Sequence, residues 1–492
     1  MVPKKSAPAP PLPATYGRMT QKRRMLLAGE WTDSPATLVV RSPFTGEIVG
    51  ETAKAGPAEA ERAVAAAGRA FEATRRLSSA RRSDILRATA TILQRRREEM
   101  ARTITLEAGK PIRLSRSEVD RAAQTFAVAA EEACRIGGEV LPLDVTAATE
   151  GRWGITRRFP LGPVLAITPF NFPLNLTAHK IAPALASGNP VVHKPASATP
   201  LTALLLGEVL LEAGAPPEAI SVLPMDAATA QALVEDGRFR VLSFTGSPAV
   251  GWELRRRAGR KRVLLELGGN AGVIVHDDAD LDLALERTAT GAFAYSGQVC
   301  ISVQRIYVHE RIHDEFLRRL LEKTRALSMG DPLDEKIDLG PLIDDAGATR
   351  VESWLAEALK DGARPLCGGA RRGRFVEPTL LTGTRRGMKV HDLEVFGPVK
   401  SVHRYSEWNE ALAAVNDSPY GLQAGIFTRD AVRIFHAFEA LEVGGVIVND
   451  APTFRVDHMP YGGEKESGLG REGVRYTIEE MTQLRLLALN LK

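Results

Sequence analysis

The chain has 492 residues, 44% hydrophobic and 25% charged, so it can bury a large core and is neither disordered nor collagen-like. A net charge of +4 is too small on so long a chain for a dedicated nucleic-acid binder. Cys134, Cys300 and Cys367 are odd in number and far apart, which fits reduced thiols in a cytoplasmic protein rather than a disulfide framework or a clustered zinc site.

At roughly 150 residues per domain, about three domains are expected. Residues 1–24 carry six basic side chains, no acid and a proline cluster, and read as a flexible arm. A transit peptide is the alternative for this leader, but its prolines oppose the amphipathic helix that such a leader needs. From Ala58 to Arg97 the spacing of Ala63, Val64, Ala67 and Phe71, then Ile85, Leu86, Ile92 and Leu93, predicts amphipathic helices, and Glu118 to Cys134 predicts another. The texture then changes. Short apolar runs at 163–168, 190–193 and 241–244 alternate with helical stretches such as Leu201 to Ala213, the pattern of an α/β unit with a mostly parallel sheet. Runs at 272–275, 304–308, 400–402 and 446–449 predict a second α/β unit. The final apolar stretch, Met481 to Leu491, predicts an edge strand that can pair with another subunit. No apolar run approaches the roughly 18 residues that cross a bilayer, so no membrane contact is expected.

Two motif matches fail on context. Gly468 to Gly473 satisfies G-x-G-x-x-G, but only 19 residues follow Gly473, whereas a dinucleotide unit needs about 30 residues with strands on both sides. His309 to His313 satisfies H-E-x-x-H, but His309 ends a strand and the helix starts near Arg311, so the two rings share no helical face and no metal is expected.

Three other segments carry chemistry. Cys300 closes FAYSGQVC, and a cysteine after a glycine turn, with backbone amides oriented toward its sulfur, is where a lowered pKa and a reactive thiolate arise. A lone cysteine is more often a small buried hydrophobe. Glu266 stops an apolar run before two glycines, where partial burial raises a carboxylate pKa toward that of a general base; a capping or salt-bridged glutamate is the plainer reading. Asn171 lies between the prolines of PFNFP, a rigid amide that can donate to an oxyanion or simply occupy a turn.

Together with KPASATP (194–200), FTGS (244–247), EVFGPV (394–399) and PYGGEKESGLGRE (460–472), these segments resemble the aldehyde dehydrogenase superfamily from about Leu27 to the C-terminus, with seven motifs in order. The resemblance implies an α/β aldehyde dehydrogenase-like fold: a Rossmann-like cofactor domain (25–136 and 155–265), a second α/β catalytic domain (266–473) and a small β oligomerisation arm (137–154 and 474–492). It implies that Cys300 attacks the aldehyde, that Asn171 and the Cys300 amide stabilise the oxyanion, and that the thioester left after hydride transfer is hydrolysed by water activated by Glu266. It implies NADP or NAD as cofactor, with Lys194 at the adenine ribose, Gly246 and Ser247 near the pyrophosphate, and Glu394 and Phe396 at the nicotinamide ribose and ring. It also implies a homodimer or homotetramer acting on a small aldehyde, without nucleic acid or membrane.

Departures from the family pattern matter. Ser197 stands where many members carry a glutamate that repels a 2′-phosphate, so NADP is expected to be tolerated or even preferred. Phe170 and Tyr295 replace a tryptophan and an asparagine, and both are expected to reshape the aldehyde pocket. The segments EVDRAAQTFAVAAEEA, CISVQRIYVH and FRVDHMPYGG resemble the branch of lactaldehyde, phosphonoacetaldehyde and non-phosphorylating glyceraldehyde-3-phosphate dehydrogenases. Arg121 aligns there with an arginine that binds substrate phosphate, and Arg455 is a second candidate, which points to a short polar or anionic aldehyde; an exposed helical arginine is the plainer reading of Arg121. Alternatives are a coenzyme A-acylating member, which Glu266 opposes, and a non-catalytic protein that keeps the fold.

Overall fold

The computed structural model describes residues 22–491. The arm expected over 1–24 is shortened from its inner end: residues 1–21 lie outside the described residues, but Arg23 donates from its backbone to Glu51 and lies 2.8 Å from Glu208.

The helical region at 58–97 divides into Pro57–Thr74 and Ser79–Arg95, because Ser78 turns out of the helix and its hydroxyl accepts from the Arg81 amide at 3.2 Å. The helix expected from Glu118 starts earlier, at Ile112, directly after Pro111, which removes one backbone donor and pins its own φ at −51°. Ile112–Ala133 packs on the Ser79–Arg95 helix and on the wholly buried helix Asn175–Ser187.

The short apolar runs form two sheets. In the first, five parallel strands lie in the order Ile220–Val222, Val191–Lys194, Val164–Ile167, Val241–Thr245 and Arg262–Glu266. Apart from Arg262 and Lys194 at strand ends, their residues are buried on both faces, which is why they read as largely apolar runs without alternation. The second sheet centres on Val303–His309, flanked in parallel by Ala271–Val275 and Val399–Tyr405, with Gln423–Phe427 and Gly445–Val448 beyond.

A third, antiparallel sheet joins Thr482–Asn490, Arg152–Pro160 and Val140–Pro142. Its limits differ from the expected arm: the middle strand continues to Pro160, and Val474–Glu480 is a helix packed on Asn175–Ser187. The G-x-G-x-x-G stretch is a loop whose first residues, Gly468–Leu469, pair antiparallel with Glu266 and Leu265. His309 ends its strand and caps the next helix, beside His276 with ring centroids 4.8 Å apart, while His313 turns to Asp314 at 2.8 Å. Among the described residues no helix is long and apolar enough to cross a membrane.

Candidate active site

The carboxyl ends of the parallel strands in the first sheet face the amino ends of those in the second. In open α/β sheets such strand ends are where ligands bind. The strand Val164–Ile167 runs into Pro169–Pro173 and then into the buried helix Asn175–Ser187. Glu118 fixes that junction: one carboxylate oxygen accepts from the Leu174 and Asn175 amides at 2.9 and 3.1 Å, and the other pairs with buried Lys110, whose ammonium lies 3.8 Å over the Phe172 ring. Asn171 is thereby held nearly fully buried, one of its amide hydrogens donated to the Gln298 carbonyl at 3.0 Å.

Cys300 is presented by a strained turn. Tyr295, Ser296 and Gly297 adopt successive left-handed conformations with φ of 49°, 54° and 73°. Such strain costs on the order of 1–3 kcal/mol per non-glycine residue and persists only when neighbours over-determine it. Here the Tyr295 hydroxyl donates to the Ala108 carbonyl at 2.7 Å and Ser296 to Gly340 at 2.6 Å. A Cβ on Gly297 would meet the Gly397 carbonyl at 2.2 Å, so only glycine fits there. The Tyr295 ring, expected to reshape the aldehyde pocket, is buried in the helical core under Lys110 and is not among the residues that line the cleft containing Cys300.

The Cys300 environment also differs from the expected one. Its sulfur pairs with the Tyr461 hydroxyl at 3.1 Å rather than with backbone amides, and burial pushes the thiol up to about 11. Glu266, ending the strand Arg262–Glu266, is buried with one carboxylate oxygen unpartnered; burial and then the nearby charge of Glu472 push its carboxyl well above the usual range, with Arg455 and Lys180 opposing. Glu472 is set the opposite way. Although burial raises it, Lys180 at 2.9 Å and Arg455 at 3.0 Å hold its carboxyl at about 2. Two carboxylates of one cluster are thus driven apart in protonation, the arrangement that assigns a proton carrier and a permanent charge.

The Arg455 side chain is only 6% exposed and stacks 3.7 Å over the Tyr461 ring, so its charge reaches the Cys300 sulfur through one aromatic ring. Arg121 is not a free exposed helical arginine: it pairs at 3.0 Å with Asp457, which also bonds His179 at 2.9 Å. The Nε atoms of both arginines are buried without a hydrogen-bond partner.

Asn171, Gly246, Ser247, Cys300, Glu394 and Phe396 line one cleft of about 400 Å³. Phe170 lines it too, edge-on to Phe396 with centroids 6.0 Å apart. Neither Arg121 nor Arg455 lines this cleft; Arg455 lies against the Tyr461 ring, whose hydroxyl meets the Cys300 sulfur, and Arg121 pairs with Asp457. Ser247 caps the helix Pro248–Arg257, so its loop offers amides at a positive helix end. The Thr245 hydroxyl in the cleft is buried without a partner, and Glu394, its carboxyl raised by burial to about 7, accepts from the Gly269 amide at 3.1 Å. Open amides, an orphan hydroxyl and a carboxylate acceptor along one wall fit a ribose-phosphate chain. Lys194 and exposed Ser197 lie outside the lining of this cleft, at the end of the strand Val191–Lys194. Lys194 is mostly buried, which lowers its ammonium pKa against the pull of Asp226.

Tyr461, Glu472 and Lys180 were not singled out from the sequence. Lys180 left one signal, a lone ammonium in a stretch that is otherwise apolar and small; Tyr461 and Glu472 lie inside a recognised motif but carry nothing local that marks them.

A model of the aldehyde dehydrogenase family matches residues 31–487. The chain is 47% identical over 464 residues to 3-sulfolactaldehyde dehydrogenase of Priestia aryabhattai, covering 94% of this chain and 97% of the relative. Among solved structures, aldehyde dehydrogenase 21 of Physcomitrella patens, in complex with its reaction product succinate, superimposes with a TM-score of 0.94 at 44% identity, covering 96% and 98% of the two chains. The NADP-dependent glyceraldehyde-3-phosphate dehydrogenase of Bacillus halodurans C-125, complexed with NADP, gives 0.93 at 36% identity, covering 96% and 100%.

Proposed function

The chain belongs to the aldehyde dehydrogenase family, an oxidoreductase acting on aldehydes with NAD or NADP, and from that premise we propose that it oxidises a short anionic aldehyde, with 3-sulfolactaldehyde the leading case, to its carboxylic acid. The observation that carries this reading is the shared cleft, in which Cys300 and Asn171 stand with the loop Gly246–Ser247 and with Glu394 and Phe396.

NAD or NADP supplies the hydride acceptor. The Cys300 sulfur, once deprotonated, forms the C–S bond to the aldehyde carbon. The second Asn171 amide hydrogen, left over beside the one given to Gln298, and the Cys300 backbone amide stabilise the oxyanion. Loss of hydride from that carbon leaves a thioester on Cys300. Glu266 then takes a proton from the water that attacks the thioester; the C–S bond breaks, the acid leaves and Cys300 is restored. A buried base placed for water supports release of free acid rather than transfer to coenzyme A. In this reading the first sheet with its helices binds cofactor, the second carries the nucleophile, and the third joins subunits.

The anionic preference rests on Arg455 and Arg121, two guanidiniums with unpartnered buried Nε donors, the first stacked on the ring whose hydroxyl meets Cys300 and the second paired with Asp457. Reduced-cofactor absorbance with 3-sulfolactaldehyde, succinate semialdehyde and neutral lactaldehyde tests it: turnover without coenzyme A is expected, fastest with the anions. Arg121→Ala is expected to raise KM for the anions about tenfold, near 1.4 kcal/mol, and to leave KM for lactaldehyde nearly unchanged. An equal rise for all three substrates would refute the clamp.

Cofactor choice rests on Ser197. A carboxylate there would face a 2′-phosphate at a site exposed enough for solvent to weaken the repulsion. Ser197→Glu is expected to lower kcat/KM for NADP about tenfold or more relative to NAD, and an unchanged ratio would remove Ser197 from the argument.

Leu484, Leu486 and Leu487 project from the third sheet, each 56% exposed, and support an assembly of two or four copies across it. Sedimentation velocity is expected to show no monomer at micromolar concentration.

A further inference from the structure

A second cavity, of about 550 Å³, opens where the end of Pro57–Thr74 and the start of Ser79–Arg95 meet the paired strands Arg152–Pro160 and Thr482–Asn490. It is remote from the cleft: Ser187, in its wall, closes the helix whose other end, Asn175, adjoins the Asn171 loop about 20 Å away.

Six arginines line this cavity, and no aspartate or glutamate does. Three of them are accounted for. Glu72 lies 3.4 and 3.6 Å from Arg75 and Arg76, and Arg158 donates to the Glu479 carbonyl and the Thr482 hydroxyl. The other three, Arg82, Arg157 and Arg485, have no carboxylate partner among the described residues. Arg82 gives one hydrogen bond to the Ser79 hydroxyl at 3.2 Å, while its Nε is buried without a partner. Arg157 and Arg485 are directly opposite in the strand register, both set against the Phe159 ring, with the guanidinium carbons 5.4 and 4.6 Å from its centroid.

Like charges directly opposite on paired strands repel. Burial, and then the nearby Arg157, disfavours the charge on Arg82. The positive end of the 17-residue helix Ser79–Arg95 adds to the same field. Positive charge concentrated in a concave, partly desolvated space without a counter-charge is relieved by a bound anion. A single carboxylate would leave most of it uncompensated. Each phosphate group brings about −1.5 to −2 at neutral pH and three acceptor oxygens that match guanidinium forks. The volume exceeds what one phosphate fills, and Phe71, Leu77 and Leu161 offer an apolar wall to an organic body.

We propose that this cavity is a binding site, separate from the dinucleotide cleft, for a small molecule bearing two or more phosphate groups.

The test is calorimetric titration of inorganic tripolyphosphate into the full-length enzyme saturated with NADP, so that the dinucleotide cleft is already filled. One equivalent is expected to bind per chain and to raise Tm, with inorganic orthophosphate much weaker. Arg82→Leu is expected to weaken tripolyphosphate at least tenfold and, by removing an uncompensated charge, to raise Tm in its absence. Arg485→Gln, at an exposed strand position, is expected to weaken binding with the fold intact, and so serves if Arg82→Leu does not fold. Absence of binding, or binding unchanged in these variants, overturns the proposal. If acidic side chains of a second copy fill the cavity instead, the assembled enzyme takes up no tripolyphosphate and Arg485→Gln loosens the assembly, which also overturns it.

Discussion

Cys300→Ala is expected to lower turnover by about 10⁴-fold or more, because no other group in the cleft can form the covalent intermediate that divides the reaction into two accessible steps. Cofactor binding should survive, since Cys300 contacts Tyr461 and not the Ser247 loop or Glu394. Mass spectrometry of the denatured enzyme after brief mixing with aldehyde and cofactor should show an acyl adduct in the native chain and none in the variant. Residual turnover above about one per cent would sink the nucleophile assignment. The native thiol, pushed up to about 11 by burial, is largely protonated at pH 7. The chemical step should therefore accelerate as pH rises, wherever deprotonation rather than hydride transfer limits the rate. Tyr461→Phe removes the hydroxyl that favours the thiolate, and its acylation rate should fall most at low pH.

Glu266→Gln should separate the two halves of the reaction. A first turnover of reduced cofactor is expected at close to the native rate, followed by a steady state slowed about 10²- to 10⁴-fold, the usual contribution of a positioned base. The native burial of Glu266 beside the charge of Glu472 keeps its carboxyl largely protonated until pH is well above the ordinary carboxylate range. Only the ionised form can accept a proton from water, so hydrolysis rises with pH through that raised pKa and levels above it. The glutamine variant should lose this rise. An unchanged steady-state rate, or absence of the first burst, would show that Glu266 does not serve the hydrolytic half.

These results bear on more than two residues. The Glu266 carboxyl is raised by burial and then by the charge of Glu472, which stays ionised because Lys180 and Arg455 surround it. Arg455 in turn lies on the ring whose hydroxyl touches Cys300. Changes to this buried network should move the pH dependence of both halves, whereas changes at Ser197, on the exposed loop after Lys194, should move cofactor preference alone.

Local patterning made much of the architecture legible before any coordinate. Several parallel strands, such as Val164–Ile167 and Ala271–Val275, are buried on both faces and appear as apolar runs between turns, and many of the flanking helices keep their 3.6-residue stripe. The ordered motifs around Asn171, Glu266, Cys300 and Glu394 marked positions where the chain must turn or end a strand, and all four side chains or their strand ends lie where the two sheets face each other. The glycine loop near the C-terminus is not followed by the parallel strand that a dinucleotide unit needs, and the H-E-x-x-H stretch does not put its two rings on one helical face, because His309 closes a strand and His313 turns to Asp314.

Tertiary structure decided what sequence spacing could not encode. Tyr295 turns into the helical core because three left-handed residues rotate it away from the cleft. Arg121 and Arg455 meet Asp457 and Glu472 across separations of 336 and 17 residues, and the six arginines of the second cavity converge from helices and strands more than 400 residues apart. Protonation states follow from such encounters. Desolvation and opposing charge act through space, within a few ångströms, and the chain order of the groups does not enter the energy. The sequence by itself therefore determined most of the elements and the family, while folding determined which buried groups are charged, which are neutral, and which stand beside Cys300.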